Sequence, residues 1–307
     1  MRPRPAPSGA VLALFGPTAS GKSRIAQELA ERTGGELVSA DSMQAYRGLP
    51  ILTNQPERPT RLVGVWALDH EGSVGEYADL AHAAIDEVLA AGRTPIVVGG
   101  TGLYLRAALA ELELPPAPEP GARERSETAY DALGPGGAHA LLAACDPGAA
   151  AAVHPNDRRR VVRALELAER GGPARRRDRL WEGETRHPTH VFGLELDPAV
   201  LERRIVERAQ LMFEEGVEAE VRRALTRPIS AAARRAIGID EIASLPPAEA
   251  LAALVVRTRR FAAYQRKWQR RIPGLVSVRA DRPAGEIADE ILEVAGARER
   301  LPARRAG

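Results

Sequence analysis

The chain has 307 residues, with 43 lysines and arginines against 41 aspartates and glutamates, a net charge of +2, and one cysteine, Cys145. That length supports one large core, or a core with a smaller appended domain, and the second arrangement is expected. A single cysteine excludes a disulfide framework and a Cys-rich zinc site. No stretch offers about 20 uncharged apolar residues, and Met1 to Pro7 lacks the apolar core of a signal peptide. A cytoplasmic protein with no membrane partner is expected, and monomer is the default because no interface signature is visible.

Residues 1–10 read as a disordered Pro-rich arm. Val11 to Phe15 is a short apolar run that predicts a strand. It leads into Gly16-Pro17-Thr18-Ala19-Ser20-Gly21-Lys22-Ser23, which fits the phosphate-loop pattern G-x-x-x-x-G-K-[ST] at every fixed position. Ile25, Ala26 and Leu29 then recur at helical spacing until Thr33-Gly34-Gly35 ends the helix. In a strand–loop–helix context the glycines let successive N–H groups point at one anion, with the positive end of the helix dipole behind them. Lys22 reaches the outer phosphates, and Ser23 can hold Mg2+. Only Lys22 and Lys267 among the 43 basic residues are lysines. A chain that uses arginine almost everywhere has kept the compact ammonium where a planar guanidinium would not fit.

Glu36 to Asp41 is a β-like run that ends in a carboxylate, and in an open parallel sheet strand carboxyl ends face the ligand crevice. Asp41 is therefore placed beside the phosphate site; an N-cap for Ser42 to Tyr46 is the alternative. Arg61 to Trp66 predicts a strand, Val74 to Ala91 an amphipathic helix, and Thr94 to Val98 a buried strand. That strand runs into Gly99-Gly100-Thr101-Gly102, a close-approach loop with a hydroxyl or a plain strand-to-helix turn. No apolar run other than Leu37 to Asp41 ends in a carboxylate, which weighs against ATP hydrolysis.

Leu114 to Gly121 is Pro-rich and marks a boundary. From Arg123 to about Arg170 the pattern is helical, with breaks at Gly134 to Gly137 and at Asp146-Pro147. His154-Pro-Asn-Asp157 caps a helix carrying Arg158, Arg159, Arg160 and Arg163, either a solvated face or an anion-binding edge. A second arginine run, Arg175 to Arg179, lies in a loop before Val191 to Leu196 returns to the sheet. Arg203, Arg204 and Arg208 fall near one turn of the next helix and can reach the crevice. From Leu251 to Ile272 a long helix is one-signed, since no acidic residue occurs between Glu249 and Asp281. It fits a polyanion surface, with Phe261, Tyr264 and Trp268 read as core.

The expected fold class is α/β, a P-loop NTPase-like parallel sheet flanked by helices, with an inserted all-helical subdomain. The domain expectation is a core over 11–115 and 190–290, a helical insertion over 116–189, and a disordered basic tail over 296–307.

Several stretches together resemble the tRNA dimethylallyltransferase family. They are Gly16 to Ser23, Ser39 to Gln44, Gly99 to Tyr104, His154 to Asp157 with Arg160 to Leu165, and Arg204 to Arg208 with Gly216, Glu220 and Val221. The resemblance covers residues from about 11 to 272. It implies transfer of the dimethylallyl group of dimethylallyl diphosphate to the exocyclic amine of adenosine 37 of tRNA, with Mg2+ as cofactor. It further implies that Thr18 to Ser23 bind the diphosphate while Lys22 and Arg208 neutralise its charge. Asp41 matches the family's general base, and a strand-end carboxylate suits that role. Thr101 resembles the residue lining the channel between donor and acceptor. By the same resemblance Asp41, Ser42, Met43 and Gln44 contact the flipped nucleotide. Arg159, Arg160, Val161, Val162 and Arg163 grip the anticodon arm, and Arg123 and Arg235 to Asp240, including Gly238, add contacts. The chain departs from the family at Leu52 to Gln55, Gly64, Ile239, Ala263, Tyr264 and Lys267. A small-molecule or nucleoside kinase would use the same phosphate loop, strand-end Asp and helical insert, though it would not need the basic helix. Prenyl transfer to free AMP, ADP or ATP and a non-catalytic RNA-binding protein are the remaining alternatives.

Overall fold

Five consecutive apolar residues, Val11–Phe15, form a strand, β1, buried along its whole length. It is the middle strand of a five-stranded sheet in the computed structural model, which describes residues 9–112, 121–169 and 182–299. The order is β2 (Glu36–Ser39), β3 (Pro95–Gly99), β1, β4 (Thr189–Glu195) and β5 (Val276–Arg279), and every neighbouring pair is parallel.

Parallel neighbours need crossover connections, and helices supply them. In chain order these are α1 (Lys22–Thr33), α2 (Pro50–Thr53), α3 (Val74–Ala90) and α4 (Gly102–Leu109). After β4 come α8 (Pro198–Glu214), α9 (Val217–Ala224), α10 (Ile239–Ser244), α11 (Pro247–Gln269) and α12 (Ala284–Glu299). Ile25, Ala26 and Leu29 turn one stripe of α1 onto Leu12, Leu14 and Ile96, where Ile287 and Ile291 of α12 join them. Burying Ile25 and Leu29 contributes roughly 1.5–3 kcal/mol each. Gly34, in the left-handed region at φ +65°, stops α1 and lets the chain enter β2.

The chain divides into two compact units, Met1–Glu111 with Gly183–Gly307, and Leu112–Glu182. The second unit holds α5 (Ala122–Cys145), α6 (Pro147–Ala152) and α7 (Arg158–Ala168). α5 is interrupted at Gly134, φ +67°. The Asp146 carboxylate accepts from the Ala149 N–H at 2.8 Å to start α6, and Asp157 accepts from Arg160 at 3.2 Å to start α7. In the first unit the two chain segments that flank the insertion meet: the Arg186 N–H donates to Leu109 O at 2.8 Å. The Arg186 guanidinium reaches Glu111 at 2.7 Å and Asp86 at 3.0 Å.

Several expectations are corrected. Arg61 to Trp66 is not a strand; it makes only two isolated bridges, Val38 to Arg61 and Tyr46 to Trp66. Positive φ at Leu62 and Gly64 breaks the extended run between them. The sequence reading has no counterpart for β5 or α12, and residues 296–299 of the expected tail are helix, part of α12. Ala10 is buried, which removes it from the arm. β4 does end in a carboxylate, but Glu195 accepts from the Ser277 hydroxyl at 2.6 Å. On α11 the inward positions are Ala250, Leu254, Val255, Ala262, Gln265 and Gln269. Phe261 and Trp268 are half-buried and Tyr264 is 54% exposed, so these aromatics are not core. The boundary segment over 113–120 and Arg175 to Arg179 lie outside the described residues, as do residues 1–8 and 300–307.

Candidate active site

The phosphate loop leaves the carboxyl end of β1 and closes on the first turn of α1. Ala19 at φ +62° and Gly21 at φ +87° both adopt left-handed backbone, and a non-glycine residue held there is a local strain of the kind found at ligand sites. The turn is tied by Ser20 N–H to Pro17 O at 3.2 Å, and Lys22 Nζ donates to the same carbonyl at 2.8 Å. Gly16 is required by space, because a Cβ there would sit 2.9 Å from Ser20 Oγ and 3.0 Å from Leu194 Cβ. The backbone N–H and the hydroxyl of Thr18 are engaged within the protein. Its N–H donates to Gln265 Oε1 at 2.8 Å and its hydroxyl accepts from Arg208 at 2.5 Å.

Two enclosed cations face this loop. Burial lowers the Lys22 ammonium to about 8; Asp41 opposes the shift and Arg208 adds to it. Burial likewise lowers Arg208, against the pull of Asp41. Arg208 Nε and Ser20 Oγ are buried without a partner. Two cations against one carboxylate, with an unmet buried N–H, leave the site short of negative charge, as an anion-binding site must be.

Asp41 lies two residues past β2 and lines one cleft with Lys22, Ser23, Gln44 and Gly99. Its Oδ1 also accepts from the Met43 N–H at 3.0 Å, so it shapes the following turn as well as facing the cleft. Ser42 and Thr101 hydroxyls are 3.4 Å apart. The Gln44 side chain accepts from Ser39 Oγ at 2.9 Å and donates to Asn54 O at 2.8 Å. Burial pushes the Tyr77 and Tyr104 phenols above their usual range, so both stay neutral, and Tyr77 donates to Ser39 O at 2.9 Å. Among the described residues no group of three His, Cys, Asp or Glu side chains is placed to hold a metal ion. The oxygens of Ser23 and Asp41 are hard donors that suit Mg2+, which takes few protein ligands and fills the rest with phosphate oxygens and water.

The IPP transferase family model matches residues 44–272 of this chain, and an isopentenyl transferase model matches 9–61. The chain belongs to the IPP transferase family. It is 39% identical to a tRNA dimethylallyltransferase of Salinispora arenicola, across 94% of this chain and 88% of that one. It is 41% identical to one from Streptomyces coelicolor, across 87% and 89%. The crystal structure of the full-length tRNA isopentenylpyrophosphate transferase of Bacillus halodurans superposes with a TM-score of 0.67 at 31% identity, over 95% of this chain and all of that one. A eukaryotic dimethylallyltransferase solved acting on tRNA shares the fold, with a TM-score of 0.75 at 23% identity, over 97% and 82%. As a family member the protein is a transferase built on a P-loop-like parallel sheet.

The remaining site residues expected from the IPP transferase resemblance are distributed as follows. Arg159 and Arg160 are exposed at the start of α7, but Val161 and Val162 are buried against Leu142 and Leu165, so their side chains are core and cannot grip a ligand. Arg163 pairs with the buried Glu166 at 2.8 Å, and Arg123 with Glu127 at 3.1 Å. Arg235 is exposed; Gly238, at φ +107°, caps α10. On α11, Arg257 and Arg259 pair with Glu241 and Glu202, while Arg260, Arg266 and Lys267, and Arg270 just past its end, are exposed. The departures from the family are used locally. Asn54 supplies a left-handed C-cap for α2, Gln55 Nε2 donates to Tyr46 O at 2.7 Å, and Gly64 takes φ +65°.

Gln265 escaped the sequence reading, and Glu220 entered it only as part of the resemblance, with no role. Gln265, 2% exposed, joins the phosphate loop to Gly100. Glu220, 1% exposed, accepts from the N–H groups of Ile51 and Leu52 at 2.9 and 2.8 Å and so anchors α2. The signal for Gln265 was present: Ala262, Gln265 and Gln269 form an uncharged line at helical spacing through a cationic helix.

Proposed function

We propose that the protein transfers the dimethylallyl group of dimethylallyl diphosphate to the exocyclic amine of adenosine 37 in tRNA, beside the anticodon. The observation that carries this reading is a carboxylate, Asp41, sharing one cleft with Lys22 of the phosphate loop. The adenine amine is a poor nucleophile because its lone pair is delocalised into the ring, and it needs a proton acceptor as it attacks. Its nitrogen bonds to C1 of the dimethylallyl group, the C1–O bond breaks with its electron pair going to diphosphate, and the amine proton passes to Asp41. Lys22 and Arg208 hold the charge that develops on the leaving oxygens in an enclosed setting, where such stabilisation is strong. Ser23 would hold Mg2+ against the diphosphate, and the ion supplies further charge neutralisation there. Asp41 is the one carboxylate that lines this cleft among the described residues, which is why the base role is given to it. Thr101, beside Ser42, lines the path by which a base flipped out of the anticodon stack enters. The name tRNA dimethylallyltransferase borne by the relatives supports the choice of substrates, and the exposed cations of α7 and α11 suit a phosphate backbone.

The test is incubation of the purified protein with magnesium, dimethylallyl diphosphate and unmodified tRNA bearing adenosine 37, followed by nucleoside mass spectrometry, with AMP and ATP as parallel acceptors. Prenylated adenosine from tRNA alone is expected. Consumption of ATP without prenylation would replace the reading with a kinase, and prenylated AMP or ATP would move the acceptor to free nucleotides.

A further inference from the structure

We propose that Gln265 is a positioning residue for the transfer, an amide clamp that fixes the donor loop and the acceptor loop at one separation. This rests on the function proposed above. Gln265 lies 247 residues from Thr18 in sequence, yet its Oε1 accepts from the Thr18 N–H at 2.8 Å and its Nε2 donates to Gly100 O at 2.9 Å. A planar amide carries an acceptor and a donor on one rigid group, and here each is used on a different loop. The fit is tight: a Cβ on Gly100 would lie 2.2 Å from Gln265 Nε2 and 3.0 Å from Gly16 O, so the two loops and the amide meet without spare room.

The two tethered segments carry the two halves of the chemistry. Thr18 begins the turn that presents Lys22 and receives Arg208. Gly100 precedes Thr101, whose hydroxyl stands 3.4 Å from Ser42, next to Asp41. One turn further along α11, the Trp268 ring lies so close to Gly102 that a Cβ there would be 2.2 Å from its Cε3, so the helix seats the acceptor loop at two points. Gln265 is not among the residues that line the cleft of Lys22 and Asp41, so it acts through the loops it holds. It sets the distance over which the prenyl carbon must travel, and an error of about 1 Å in such a distance costs on the order of 10²-fold in rate.

The test compares wild type with Gln265→Met, which keeps the length and removes both hydrogen bonds. Three readouts are needed: amide exchange at Thr18 in the free protein, calorimetric affinity for dimethylallyl diphosphate, and kcat on tRNA. Expected are faster exchange at Thr18, kcat down by about 10²-fold and a smaller loss of donor affinity, with a melting temperature lowered by a few degrees for the two groups left without partners. Wild-type kcat in Gln265→Met would overturn the proposal, and so would an unchanged Thr18 exchange rate. If the methionine variant does not fold, Gln265→Glu keeps the acceptor for Thr18 and loses the donor to Gly100; wild-type kcat in that variant overturns the proposal equally. Thr18 exchange and donor affinity need no tRNA turnover. A wild-type protein that prenylates nothing would therefore sink the proposed function and leave the clamp to be judged on those two readouts.

Discussion

Raising the pH from about 7 to about 9 should weaken binding of dimethylallyl diphosphate about tenfold. Lys22 in the free site titrates at about 8, because enclosure penalises the ammonium more than Asp41 favours it. The charged form binds the diphosphate, so binding raises the Lys22 pKa, and affinity is full below the free-site value and lost above it. The protonated fraction is about 0.9 at pH 7 and about 0.1 at pH 9, a loss of about 1.4 kcal/mol. Arg208 starts from a far higher ordinary value and stays charged across this window even though burial lowers it. The terminal phosphate of the donor completes its last ionisation near about pH 6, so its own charge is constant. Calorimetry without tRNA reads the effect directly. Lys22→Met should bind weakly and show no slope. A wild-type affinity that is flat from about pH 7 to about pH 9, or a slope that survives in Lys22→Met, would refute the reasoning.

Three further outcomes are expected. Asp41→Asn keeps an acceptor for the Met43 N–H but cannot take a proton, so kcat should fall by about 10² to 10⁴ with tRNA affinity retained; near-normal kcat removes Asp41 as the base. Replacing Arg159 and Arg160 with alanine should flatten the salt dependence of tRNA binding, by about one phosphate contact for each cation engaged, and an unchanged slope would take α7 off the RNA. Arg163 is a poor probe for that purpose, since its removal leaves Glu166 buried and unpaired. Gly99→Ala places a Cβ 2.1 Å from Ala40 O where β2 and β3 end, and should cost at least about 1–3 kcal/mol by chemical denaturation; wild-type stability would mean the strand ends yield easily.

The first half of the site was legible because its geometry is local. A buried run, a glycine turn and an amphipathic helix place Lys22, and a strand-end position places Asp41, with no knowledge of the rest of the chain. What stayed hidden depends on contacts far apart in sequence. Gln265 looks like one more polar residue on a cationic helix, and only the docking of α11 on two glycine loops gives its amide a purpose. The same docking turned Ala262 and Gln269 inward and left Tyr264 outside, against the ordinary preference for buried aromatics. Val276–Arg279 alternates valine with polar residues over only four positions, too short to stand out, and becomes a strand because β4 offers it an edge. Arg61 to Trp66 failed in the other direction: its composition suits a strand, but Leu62 and Gly64 turn back through positive φ.

The meeting of Leu109 and Arg186 has a consequence for how such proteins can diverge. Because these two residues are already hydrogen-bonded, the sheet-bearing unit closes on itself, and the entropic cost of bringing its two cut ends together falls on the core. Lengthening what lies between them then costs only about 0.6 kcal/mol per doubling, while shortening it to a tight turn leaves β1, β3 and β4 their pairing. Chain length can thus be gained, lost or exchanged at this neck without unpairing the sheet, which makes it a place where descendants of this core can change what they bind.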